Sequence, residues 1–122
     1  MQNSQIVVLG ASNKPHRFAY KAIKMLQEFG HHVLPVHPKI ENIDGLVVKH
    51  FLHQIQTPVD TLTLYVGPQR IAPLIDGIIQ LNPARVILNP GTESDELELA
   101  LLKHDISFVK DCTLLMLKHG RF

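Results

Sequence analysis

The sequence offers one cysteine, Cys112, so no intrachain disulfide can form. It has little excess charge of either sign. Its 12 basic and 11 acidic residues leave a formal charge of +1, too weak a field to mark the surface for duplex nucleic acid or an anionic membrane. Any anion it binds must therefore be caught locally. No apolar run approaches the roughly 20 residues that span a bilayer, and the first residues lack a basic segment followed by a long apolar stretch. A cytoplasmic protein with neither a nucleic-acid nor a membrane partner is the expectation. Linkers, internal repeats and low-complexity segments are also missing. With 122 residues, 45% of them hydrophobic, the chain has room for one core and too little length for two, so a single domain over residues 1–122 is expected.

What is present is an alternation. Short apolar runs suited to buried strands recur at Gln5–Leu9, His32–Val36, 61–66, Arg85–Leu88 and 107–109, with a shorter candidate at 46–48. Helical spacing separates most of them. Phe18, Ala22, Leu26 and Phe29 follow it after the first run, with Gly30 where a left-handed cap would stand. Ile71, Leu74, Ile75 and Ile78 predict a second helix opening near Pro68, and Leu97, Ala100, Leu101 and His104 a third. Residues 114–117 suggest a last helix or turn, or else an exposed homodimer contact. Strands rich in Val, Ile and Leu with little alternation imply a parallel sheet covered on both faces. Doubly wound α/β is the predicted class. If the 46–48 run is a strand, it lies outermost beside the second strand, and the order reverses between the first strand and the 61–66 strand.

Ligands of such sheets bind outside the carboxyl ends of the strands at that reversal. The first strand-to-helix segment there reads Gly10-Ala11-Ser12-Asn13-Lys14-Pro15-His16-Arg17. A tight-turn glycine and small residues allow close backbone approach, and Lys14 and Arg17 flank a helix amino terminus, a place that favours phosphate. A solvated turn that merely caps its helix is the plainer alternative. The helix after Asn89-Pro90-Gly91 is dressed in the opposite way. Its first turn carries Glu93, Asp95, Glu96 and Glu98, which would repel a phosphate. Asn89, Pro90 and Gly91 themselves suit either a ligand contact or an ordinary turn.

Several signatures are incomplete. A dinucleotide fingerprint wants three glycines and an acid closing the second strand. Only Gly10 is present, and that strand closes Val36-His37-Pro38-Lys39. A histidine and a lysine there suit a ligand with phosphate near its ribose, as in coenzyme A or NADP, although Lys39 is equally well an exposed loop cation. The phosphate-loop ending Gly-Lys-Ser/Thr is absent. Ser12 and His16 lack a Gly-x-Ser-x-Gly elbow, and His50 with His53 has no accompanying Cys, Asp or Glu motif. No catalytic residue and no metal site are predicted. Cys112 is read as a small packed residue, or a thiol facing the ligand.

With these residues in view, the chain resembles the small stand-alone coenzyme A-binding domain proteins, similar in Rossmann-like fold to the nucleotide-binding domain of the succinyl-CoA synthetase alpha subunit. The resemblance runs from Ile6 to about Met116. It rests on Val8-Leu9-Gly10-Ala11-Ser12 with Lys14-Pro15, on Gly30 with Val33-Leu34-Pro35-Val36-His37-Pro38-Lys39, and on Gly45 ahead of Val47. Val59-Asp60, Pro68, Asn89-Pro90-Gly91 and Asp111-Cys112 continue it. It departs at His37, where the family often carries asparagine. The resemblance implies coenzyme A or an acyl-CoA held by the 10–14 loop, by Val36, His37, Pro38 and Lys39 near the adenosine end, and by the turn at Val66, Gly67 and Pro68. It carries binding and no catalysis, so a non-catalytic sensor, carrier or regulator is expected. A small NADP-linked or acyl-transfer enzyme, and an interaction module that has lost its ligand but kept a protein partner, are the alternatives.

Overall fold

In the computed structural model, which describes residues 4–122, the apolar runs form strands and the periodic segments form helices. The first run is β1 (Gln5–Leu9), followed by α1 (Phe18–Glu28) and β2 (His32–Val36). Helix α1 buries Ala19, Ala22, Ile23 and Leu26, a stripe at helical spacing. Gly30, at φ +86°, ends it. The Gly30 and His31 N–H groups return to the Gln27 and Leu26 carbonyls at 3.0 Å each, the pairing of a Schellman cap. Phe18 and Phe29, expected on the same stripe, instead face out, 68% and 48% exposed, because they begin and end the helix where its buried face has turned away.

The segment after β2 folds into a two-stranded antiparallel hairpin, β3 (Asn42–Ile43) with β4 (Leu46–Val47). This corrects the expectation of a sixth strand at 46–48. Asp44 and Gly45 both take positive φ, 49° and 92°, the signature of a type I′ hairpin turn, so the run pairs with its own upstream neighbour. One parallel bridge, Val36 to Lys49, ties the residues after β4 to β2, and Ile43 and Val48 share a core cluster with Val33.

The chain then crosses to β5 (Thr61–Leu64), α2 (Ile75–Leu81), β6 (Arg85–Leu88), α3 (Asp95–Lys103), β7 (Ser107–Lys110) and α4 (Thr113–Lys118). The main sheet is parallel throughout, in the order β2-β1-β5-β6-β7. The expected helix at Pro68 is replaced by two 3-10 turns, Pro68–Arg70 and Ala72–Leu74, and the α-helix opens only at Ile75. Pro73 has no N–H to donate, and in a helix begun at Pro68 its ring would strike the preceding turn.

Alternate strand residues feed two cores. Leu9, Leu62, Leu64 and Leu88 pack with Ile78 and Leu101 on the α2–α3 face. Ile6 and Val8 pack with Ile23, Leu26 and Leu117 on the α1–α4 face. Each fully buried aliphatic side chain contributes roughly 1.5–3 kcal/mol. The architecture is a doubly wound, Rossmann-like α/β fold. Among the described residues, no helix is long and apolar enough to cross a membrane.

Candidate functional site

From β1 the chain moves to one neighbour, β2, and all later strands add on the other side, so the order reverses between β1 and β5. A cleft of ≈ 890 Å³ opens at the carboxyl ends there. Its floor begins at Gly10, whose φ is +87°. The Gly10 and Ala11 N–H groups both donate to the Val36 carbonyl at 3.1 Å, and Tyr65 N–H donates to the Leu9 carbonyl at 2.8 Å. These bonds lock three strand ends together. A Cβ at Gly10 would lie 2.9 Å from the Tyr65 backbone carbon and oxygen, so the glycine is required by the crossing of β1 and β5 as well as by its positive φ.

Beyond it, Ser12 Oγ accepts from Lys14 N–H at 3.1 Å, and Arg17 N–H donates to the Lys14 carbonyl at 3.0 Å. Helix α1 then starts with no side-chain cap and no acid in its first turn. Helix α3 differs on both counts: Ser94 Oγ accepts from Leu97 N–H, and Asp95, Glu96 and Glu98 fill the first turn. The positive end of α1 thus has no acid in its first turn to offset it, and such a helix end is worth roughly 0.3–1 kcal/mol to an anion at an exposed site.

The second wall is the end of β2. His37 Nδ1 accepts from the N–H groups of Lys39 at 3.0 Å and Ile40 at 3.1 Å, which leaves the ring proton on Nε2. Burial, reinforced by Arg70, Lys39 and His50, holds the His37 pKa below the ordinary histidine value. Behind it, Gln54 Oε1 accepts from His50 and Phe51 N–H and shapes the 3-10 turn Leu52–Gln54. Phe51 stacks on His53 with centroids 5.5 Å apart.

The third wall follows β5. Tyr65, Val66, Arg70, Pro73 and Leu74 line it, and Gly77 of α2 completes it. Burial pushes the Tyr65 phenol up to about 12 despite its hydrogen bonds to Thr113 and Thr63, so it stays neutral. No aspartate or glutamate lines the cleft, whereas Lys14, Arg17 and Arg70 all do.

Of the residues singled out in the sequence, Gly10, Ala11, Ser12, Asn13, Lys14 and Arg17 come together here with Val36, His37, Pro38 and Val66. His50 and His53, considered only as a metal pair, line it as well, whereas the remaining residues expected to hold the ligand do not. Lys39 is exposed in the turn after His37, and half-buried Gly67 and exposed Pro68 follow Val66 outside the lining. Asn89 is 2% exposed and serves as a tie: its amide donates to Thr63 Oγ1 and the Leu64 carbonyl, and its Oδ1 accepts from Thr113 N–H. Pro90 and Gly91 follow it on the surface. Half-buried Cys112 precedes α4, outside the cleft lining. Phe18, Phe51, Tyr65 and Arg70 were not foreseen. Arg70 had a signal in the sequence, since it follows the strand that borders the reversal. Among the described residues no group of three or more His, Cys, Asp or Glu side chains is placed to hold a metal ion.

The chain is similar in fold or sequence to known proteins. A solved structure of an uncharacterized protein is 38% identical, with a TM-score of 0.93 and 100% of both chains covered. A structure from Thermus thermophilus is 30% identical, with a TM-score of 0.90 over 98% of this chain and 91% of that one. The uncharacterized protein YneT of Bacillus subtilis is 28% identical over 64 residues, 52% of this chain and 47% of its own, so the match spans about half of that curated relative. The family described as the CoA binding domain matches residues 4–118. That span takes in every wall of the cleft and all seven strands, and the chain belongs to the CoA binding domain family.

Proposed function

We propose that this chain binds coenzyme A or an acyl-CoA in the cleft between β1 and β5, and that it acts in the cytoplasm as a sensor, carrier or regulator without catalysing a reaction there. The observation that carries this reading is the composition of the lining: Lys14, Arg17 and Arg70 with no carboxylate, at the reversal of the sheet. A polyanion fits such a site. Phe18, Val66 and Leu74 supply apolar wall for the uncharged parts of the ligand. The absence of catalysis is supported by what the candidate nucleophiles do. Ser12 Oγ accepts from Lys14 N–H, Tyr65 stays a phenol, and Cys112 lies outside the lining.

The test is calorimetric titration of the protein with coenzyme A, beside NADP and ATP under identical conditions. Saturable binding selective for coenzyme A is expected. A preference for NADP would overturn the reading in favour of a nicotinamide-linked enzyme, and heat-silent titrations with all three would leave a protein-interaction module.

A further inference from the structure

The amino ends of the strands carry a second depression, at the opposite end of the sheet from the cleft. The first residues of β5, β6 and β7 stand in one row there, Thr61 beside Arg85 and Arg85 beside Ser107 in the parallel register. Arg85 and Ser107 line a pocket of ≈ 470 Å³ together with His31, Asp60 and Phe122. Small-molecule sites occupy about 300–1,000 Å³. Asp60 and Ser107 are exposed, so the pocket is open to solvent.

Two groups in this pocket lack a partner. Half-buried Arg85 donates from Nε to Thr61 Oγ1 at 2.9 Å, and its Cζ lies 4.6 Å from the Phe122 ring centroid. Among the described residues no carboxylate pairs with it, whereas Lys24, Lys110 and Arg121 each have one. A charge drawn partly out of water without a counterion is costly. Asp60 is the adjacent acid, yet its Oδ1 accepts the Thr61 hydroxyl at 2.6 Å, so it reaches Arg85 only through Thr61. The second group is His31, whose ring packs on Phe122 with centroids 5.0 Å apart. Its Nδ1 is a buried polar atom with no hydrogen-bond partner, an uncommon state unless something outside the chain satisfies it. Burial holds the His31 pKa below the ordinary histidine value, so the imidazole is neutral near pH 7.

We propose that this pocket is a second ligand site, which takes a phosphate group that retains a proton, as the free ion or as a monoester. The Arg85 Nη groups supply donors for the ionised oxygens. Asp60 accepts the phosphate hydroxyl, a bond that a fully ionised oxyanion cannot make. Hydrogen phosphate both donates and accepts, so it satisfies His31 Nδ1 in either neutral tautomer. Sulfate, equal in shape but without a proton at neutral pH, meets the Asp60 carboxylate as a repulsion. The site lies outside the cleft at the carboxyl ends and stands whatever that cleft binds.

The experiment is a set of amide NMR titrations of the full chain with sodium phosphate, phenyl phosphate and sodium sulfate, with sodium chloride holding the ionic strength constant. A pH of about 6.5 keeps the monoester partly protonated. Phosphate is expected to give saturable shifts at the amides of His31, Arg85 and Ser107, and sulfate to bind there about tenfold or more weakly. Shifts at Gly10, Ala11 and Ser12 report the cleft separately. Arg85→Met should cut phosphate affinity at the first set about tenfold or more and leave the second set unchanged. Asp60→Asn, on an exposed side chain that keeps an acceptor for Thr61, should bring sulfate within about twofold of phosphate. Should Arg85→Met fail to fold, Asp60→Asn decides alone. Tighter phenyl phosphate identifies a monoester as the ligand, its organic part against the Phe122 and His31 rings, and tighter inorganic phosphate identifies the free ion. Shifts that do not saturate, equal wild-type affinity for phosphate and sulfate, or undiminished binding by Arg85→Met overturns the site.

Discussion

His37 shows how one side chain serves both the backbone and the cleft. Its Nδ1 accepts two N–H groups of the following turn, the task that an asparagine Oδ1 performs elsewhere in such turns. The departure from the residue usual in the family therefore preserves the turn. It also makes the turn titratable. Burial holds the His37 pKa below its ordinary value, and His31 is lowered in the same direction by the same cause. The unfolded chain thus takes up protons first as pH falls. Stability from these groups is fully present above the unfolded histidine pKa of about 6.5 and is lost as pH falls through it toward the lower folded values. Asp44 and Asp111 are also lowered, but from carboxylate values, so they act further into acid. Thermal unfolding followed from about pH 8 to about pH 5 should show a falling Tm, and His37→Asn should flatten that fall while keeping the turn. An unchanged slope in His37→Asn would remove His37 from the account.

At the scale of elements, what the sequence makes legible follows from how each element buries its residues. The three inner strands of the main sheet, β1, β5 and β6, are buried almost throughout because both faces are covered, whereas the edge strand β7 is largely exposed, and α1 and α3 show through their periodicity and ends. The hairpin is illegible to that criterion. Leu46 and Val47 look like a strand in either setting, and only the Asp44-Gly45 turn decides that they pair backward. Pro73 likewise outweighs an apolar spacing that by itself suits one long helix. The loop after β1 is legible as a candidate site because topology places it at the reversal of the sheet. The Asn89 turn occupies a comparable position two strands further along, yet it ties β5, β6 and α4 together through Thr63, Leu64 and Thr113. Polar residues at strand ends do either job, and periodicity does not distinguish them. Asn89→Ala should therefore cost about 2–3 kcal/mol in chemical denaturation, from buried groups left without partners, while coenzyme A affinity of the folded protein stays within about twofold. A folded Asn89→Ala protein that loses the ligand would return this turn to the site.

For the molecule as a whole, a formal charge of +1 conceals a segregated distribution. The 11 acidic residues are all outside the cleft lining, which holds Lys14, Arg17 and Arg70. Average charge therefore rules out an extended basic face and says nothing about a local one. The segregation has a measurable consequence. Attraction between these exposed side chains and a polyanion is screened over a Debye length of about 10 Å at 0.1 M salt and about 3 Å at 1 M. The Kd for coenzyme A should rise about tenfold or more between roughly 0.05 M and roughly 0.5 M sodium chloride, while a Lys14→Ala, Arg70→Ala double variant should show a distinctly shallower dependence. Calorimetry at a series of salt concentrations reads both slopes directly. If wild type and double variant respond equally, the charges around the cleft do not hold the ligand, and its affinity comes from the backbone N–H groups of the 10–17 loop and the apolar wall of Phe18, Val66 and Leu74.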